Sequence, residues 1–187
     1  PIEKLQEKHD EAFAKLSAQV DGLVDGGLVI DDPAYETADA AYGKLAGLDL
    51  DCLVVCVAGW IPTHAVVRVT DHFRHVPMVL WGLCGWKENG RIITTAEQAG
   101  TTAIRPAFEA LGYSFKYVYN VIGKDYPLGK IDAFLKAACA KKELRSAPSV
   151  WGALCMYIGG AVKRSGMIND NEWIHSHGGR KYKPEKV

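Results

Sequence analysis

Trp60, Trp81 and Trp86 stand at or just beyond the ends of two apolar runs, CLVVCV (Cys52–Val57) and MVLW (Met78–Trp81). An indole at the end of a strand can stack on the apolar face of a sugar ring while neighbouring polar groups take the hydroxyls. An apolar wall with a few polar groups is the usual make-up of a small-molecule site. The same rings could instead cover a sheet edge or an oligomer interface, where tryptophan is enriched. On this reading Trp60 is the principal substrate-binding candidate, with His64 and Trp81 as its neighbours. Gly59, Thr63, Gly82, Asn120 and Asp125 are the other residues expected at strand ends, and Trp151 reads as core.

The remaining reactive side chains assemble into nothing as definite. His175 and His177 are two apart with Glu172 nearby, and on a strand they would share one face, as a pair of metal ligands does. Their setting, NDNEWIHSHGGRKY, reads as a solvated tail, and no further ligand can be named, so no metal site is assigned. His64, His72 and His75, with Asp71 and Arg74, fall on one expected helix and read as its exposed face, with a base role for one histidine as the rival reading. Cys52 and Cys56 point to one side of a strand as small buried apolar groups. A GxxxxGK[ST] phosphate loop, a GxGxxG turn after a strand, a GxSxG elbow and an HExxH pair are all absent, so no residue is assigned a catalytic role.

The elements that must position these groups follow from periodicity. Apolar residues at Ile2, Leu5, Phe13, Leu16 and Val20 describe an amphipathic helix. GLVI (Gly27–Ile30), between Gly26 and Asp31-Asp32-Pro33, reads as a brief strand, and 34–45 as a helix. CLVVCV is continuously apolar and β-branched, as a strand covered on both faces is, and reads as the centre of the sheet. A helix over 63–75, the strand MVLW and a loop with Gly82, Gly85, Asn89 and Gly90 come next. A long helix over 95–111 follows, closed by Gly112 and kinked or divided at Pro106. Then come a strand over 115–122, a helix over 128–144 and a last apolar strand, VWGALCMY (150–157).

Alternating strands and helices imply an α/β fold: a doubly wound, mainly parallel sheet of about five strands with helices on both faces, Rossmann-like or flavodoxin-like. Such a sheet usually opens on a strand, yet the chain opens on the helix at Ile2, so the first strand is expected to be missing. The organisation reads as one α/β domain over 1–158 and an extension over 159–187.

Composition narrows the partners. The 187 residues carry 22 Lys+Arg against 22 Asp+Glu with no basic run, which argues against nucleic acid. No apolar stretch is long enough for a membrane span. The cysteines number five and sit in apolar runs, a pattern of reducing compartments, so the expected location is the cytoplasm.

Three stretches together resemble the amino-terminal region of the L-fucose isomerase family, which includes L-arabinose isomerase-like ketol isomerases. They are DLDCLVVCVAGWIPTH, then VPMVLWGLCGWKENGRIITTAEQAGTTAIRPAFEALGYSFKYVYNVIG, then IDAFLKAACAKKELRSAPSVWGALCMYIGGA. The likeness lies in order and character over 49–161: the strand-end turn Gly59-Trp60, the Pro-apolar-Trp-Gly segment Pro77 to Gly82, and the Gly-x-x-x-Met strand Gly152 to Met156.

The resemblance implies conversion of an aldose to its ketose by metal-assisted proton transfer, commonly with Mn2+, in trimers or hexamers. It implies that the metal ligands and the acid/base pair lie in later domains, outside this chain. It also implies that the amino-terminal domain offers sugar contacts to a neighbouring subunit, Trp60 being the matching residue. An arginine that the family carries after its first strand would fall before Pro1 and is unmatched. Full-length members are considerably longer, so the chain reads as a fragment or as a domain with another use, and is expected to be catalytically silent alone. The alternative reading is a non-catalytic small-molecule-binding or assembly domain.

Overall fold

The computed structural model describes residues 2–146. The chain divides into two compact units, Pro1–Ala140 and Lys141–Val187. The expected strand over 150–157, Trp151, Glu172, His175, His177 and the boundary at 158/159 lie outside the described residues.

Three five-residue strands form a parallel sheet in the order β1 (Leu53–Val57), β2 (Met78–Gly82), β5 (Phe115–Tyr119), with Val55 opposite Leu80 and Leu80 opposite Tyr117. All five residues of β2 are buried. Among the described residues the centre of the sheet is therefore β2, and CLVVCV is an outer strand. Of about five expected strands, the described residues place these three in the sheet.

Successive strand residues point to opposite faces, and both faces are apolar. On one face Val57, Met78 and Leu80 pack with Ala38 and Ala41 of α2 (Glu36–Leu45), Val66 and Val69 of α3 (Thr63–Thr70), and Ile104 and Phe108 of α4 (Glu97–Ala110). On the other, Val79, Trp81 and Val118 pack with Ala12 and Leu16 of α1 (Ile2–Ser17) and Ile131 and Leu135 of α5 (Leu128–Ser146). The result is an α/β unit with a parallel sheet flanked by helices, compatible with a Rossmann-like fold.

Several expectations are corrected by backbone hydrogen bonding. Gly27–Ile30 is not a strand, because its backbone bonds locally: Gly27 N–H donates to Asp25 Oδ1 (2.7 Å) and Ile30 N–H to Thr37 Oγ1 (3.2 Å). Asp32 also accepts from the N–H groups of Glu36 and Thr37 (2.9 and 3.2 Å), capping α2 from four residues upstream. The expected loop after β2 contains a hairpin, β3 (Trp86–Glu88) against β4 (Arg91–Ile93). Its turn, Asn89-Gly90, has φ of 49° and 76°, the left-handed pair that a two-residue hairpin turn requires.

The helix over 63–75 is α3 plus a 3₁₀ turn at Asp71–Phe73. Pro106 does not divide α4, which runs through it as one helix and closes where Gly112, at φ 71°, follows Leu111.

Candidate functional site

Ligands of open parallel sheets bind beyond the carboxyl ends of the strands, and there β1 leads into Ala58-Gly59-Trp60. This turn is held from α4's side. Trp60 N–H donates to the Thr95 carbonyl (2.7 Å), and the Thr95 hydroxyl lies 2.7 Å from the Ala58 carbonyl. A Cβ at Gly100 would lie 3.3 Å from the Trp60 backbone, so glycine there lets α4 approach the turn closely. With the backbone fixed, the Trp60 indole stands 57 % exposed.

His64 lies in the first turn of α3, exposed, with its ring edge-on to Tyr35 at 5.7 Å. Arg68 lies over the same tyrosine at 4.9 Å and grips Asp39 through two hydrogen bonds of 2.6 and 2.8 Å. The Arg68 guanidinium holds the Asp39 carboxyl below its ordinary pKa. Tyr35, His64 and Arg68 thus form one aromatic and cationic cluster beside α3.

Trp81 is placed quite differently. It is 1 % exposed, its Nε1–H donates to Asn120 Oδ1 (2.8 Å), and Tyr126 meets its ring edge-on at 6.0 Å. The ring offers no face to a sugar in this structure. Asn120, itself buried, serves the framework: its N–H donates to the Gly82 carbonyl (2.8 Å) and its own carbonyl accepts from Gln98 Nε2 (3.0 Å). Trp86 lies in a separate hollow of about 420 Å³ with Lys8, Cys84, Lys124 and Tyr126, under the ammonium groups of Lys4 and Lys8 at 5.1 and 5.7 Å. Trp60 instead lines a groove of about 560 Å³ beside β1. The three tryptophans do not share one pocket.

The histidine-bearing segment after Thr63 also separates into local contacts. His72 stacks on Tyr42 at 4.0 Å, and Asp71 accepts from the Tyr113 hydroxyl (2.9 Å) and pairs with Arg74. Burial pushes the thiols of Cys52 and Cys56 up to about 12, so neither is a nucleophile near neutral pH. Among the described residues no three His, Cys, Asp or Glu side chains come together to hold a metal ion.

The most tightly built polar group was not legible as a site. Lys8, on α1, points its ammonium to within 3.0 Å of Glu97 Oε1 and donates to Thr95 Oγ1 (2.9 Å). Glu97 is fully buried, and its Oε2 accepts from the Thr94 hydroxyl (2.8 Å) and the Thr95 N–H (2.9 Å). Oε1 is paired by charge with Lys8 but receives no hydrogen bond of good geometry among the described residues. The group ties α1, the exit of β1 and the start of α4 together. Its signal was present as two charges on apolar stripes: Lys8 between Leu5 and Ala12, and Glu97 in line with Gly100, Thr101, Ile104 and Phe108.

No protein-family model, curated protein or solved structure matches this chain. No described helix is long and apolar enough to cross a membrane.

Proposed function

We propose that the chain is the amino-terminal α/β module of an L-fucose isomerase-like aldose–ketose isomerase. It contributes oligomer contacts, in a trimer or hexamer, and an aromatic wall against a monosaccharide. The observation that supports this reading is Trp60: an indole 57 % exposed at the carboxyl end of a parallel strand, on a turn held by Thr95. His64, in the first turn of the helix that follows, is the polar neighbour along the chain. Catalytic groups and the Mn2+ ligands belong to other parts of the enzyme, and this chain's share is binding and positioning. The finer fold that goes with this reading is a doubly wound sheet of about five strands. It is supported by α2, α3 and α4 covering one face of the sheet and α1 and α5 the other.

The test is isomerisation of L-fucose and L-arabinose by the full-length protein, with and without Mn2+. Trp60→Ala is expected to lower kcat/KM about tenfold, the equivalent of ~1.4 kcal/mol, with an unchanged circular dichroism spectrum. Turnover equal to the parent's would remove Trp60 from the site.

A second reading, a non-catalytic binding or assembly domain, is favoured by one observation. Trp60 and Trp86 line different hollows, so the described residues close no single sugar pocket. Sugar binding without turnover in the full-length protein would select it.

A further inference from the structure

Trp60 is an exposed side chain on a backbone gripped at two points, and one residue supplies both grips. The Thr95 carbonyl accepts from the Trp60 N–H (2.7 Å), and the Thr95 hydroxyl lies 2.7 Å from the Ala58 carbonyl. Thr95 therefore holds the peptide groups on either side of Gly59. Leu5 of α1 fills the space that a Cβ at Gly59 would take. An indole loses conformational freedom when it stacks on a ligand, and a backbone fixed beneath it leaves less to lose.

The direction of the Thr95 hydroxyl follows from its neighbours. A hydroxyl has one proton and two lone pairs, whereas an ammonium only donates. Lys8 Nζ, 2.9 Å from Thr95 Oγ1, therefore takes a lone pair. The single Thr95 proton is left for the Ala58 carbonyl at 2.7 Å or for Glu97 Oε2 at 3.0 Å. Ala58 is the nearer acceptor, and Glu97 Oε2 already accepts from the Thr94 hydroxyl and the Thr95 N–H. The Lys8 charge, 3.0 Å from Oε1, offsets the pull of the carboxylate. Without that ammonium a buried, unpaired carboxylate competes for the same proton, and a hydrogen bond to an ion is roughly twice as strong as one to a neutral carbonyl.

We propose that Thr95 is the positioning residue of the Trp60 site, and that the Lys8–Glu97 pair sets it by directing the Thr95 hydroxyl proton to the Ala58 carbonyl. The ion pair thus helps to present the indole, through a threonine 87 positions along the chain from Lys8. The ligand is the one proposed above, a monosaccharide ring against Trp60, and the inference rests on that reading for its ligand alone.

Fluorine NMR of the 187-residue chain labelled with fluorotryptophan tests it, the Trp60 resonance being identified by its loss in Trp60→Phe. The chemical shift reports the surroundings in the folded protein and does not follow global stability. Thr95→Val is expected to move the Trp60 resonance, and Thr95→Ser, which keeps the hydroxyl, to leave it in place. Lys8→Met is expected to move it as well. Lys8→Met combined with Glu97→Gln is expected to return it to the parent position, because no carboxylate then competes for the proton. The resonance of buried Trp81 serves as the reference for intact packing. In the full-length protein Thr95→Val is expected to raise KM for the sugar about fivefold, the effect of one hydrogen bond, with kcat unchanged.

A Trp60 resonance unmoved by Thr95→Val, or moved equally by Thr95→Ser, would overturn the role of Thr95. Equal displacement in Lys8→Met and in the double variant would show that Lys8 acts by packing, and would overturn the role of the pair. Where Lys8→Met loses its fold, the double variant decides alone: a Trp60 resonance away from the parent position counts against the pair. The sugar reading fails separately, on unchanged turnover in Trp60→Ala, and the fluorine result stands without it.

Discussion

At the scale of single residues, burial decides what a side chain can do more than its type does. Trp60 and Trp81 both read as strand-end indoles, yet one is 57 % exposed and the other 1 %. The residue before a turn and the residue after it differ completely in what covers them. The same logic governs Lys8 and Glu97. Burial by itself would raise the Glu97 pKa, but its own backbone N–H, the Thr94 hydroxyl and the Lys8 ammonium favour the carboxylate, and the net direction is downward.

A carboxyl whose pKa is lower folded than unfolded contributes stability that is present in full above its unfolded value. That stability is lost as pH falls through the folded value. Glu97→Gln leaves the Lys8 charge buried without its partner, at a cost of about 3 to 5 kcal/mol at neutral pH. Urea unfolding of parent and variant checks this, and the difference between them should shrink as the solution is acidified below the ordinary glutamate range. A constant difference down the acid limb would assign the effect to shape and not to charge.

At the scale of elements, local signals are legible where they repeat and faint where one pair of residues carries them. The strands at 53–57 and 78–82 show continuous apolar runs, and α1 and α4 show 3.6-residue periodicity. The β3–β4 hairpin is hidden in the sequence because its strands have only three residues each, too few for alternation to show. Its one strong signal, Asn89-Gly90 between WKE and RII, is a turn signature. Gly85 belongs to the same device, since a Cβ there would collide with the Ile93 carbonyl.

Pro106 has a real cost even though α4 continues through it. The Thr102 carbonyl loses its helical donor, and a proline inside a helix costs about 3 kcal/mol. Because Pro106 is exposed, Pro106→Ala opens no cavity. It should stabilise by about 2 kcal/mol after allowing up to ~1 kcal/mol for the freer unfolded chain. A higher melting temperature checks it; an unchanged one would mean that α4 is already relaxed around the proline.

At the scale of the whole molecule, two apolar clusters share one thin sheet, and β2 belongs to both: Met78 and Leu80 on one side, Val79 and Trp81 on the other. Its amides are therefore expected to be the slowest to exchange in the protein, near the limit set by global unfolding. Faster exchange at Leu80 than at Val118 would contradict that hierarchy.

The amino-acid sequence by itself determined the class of structure, α/β with a parallel sheet between helices, because continuous apolar strands alternating with amphipathic helices can bury their surfaces in few other ways. It also singled out Trp60, since a glycine-tryptophan-proline break after such a strand is a local event. Only the tertiary structure decided which of the described strands lies in the middle, that Trp81 is core, and that Lys8 meets Glu97 across 89 positions of chain. Those outcomes depend on which distant segments come to lie side by side, and residue spacing along one chain does not encode that neighbourhood locally.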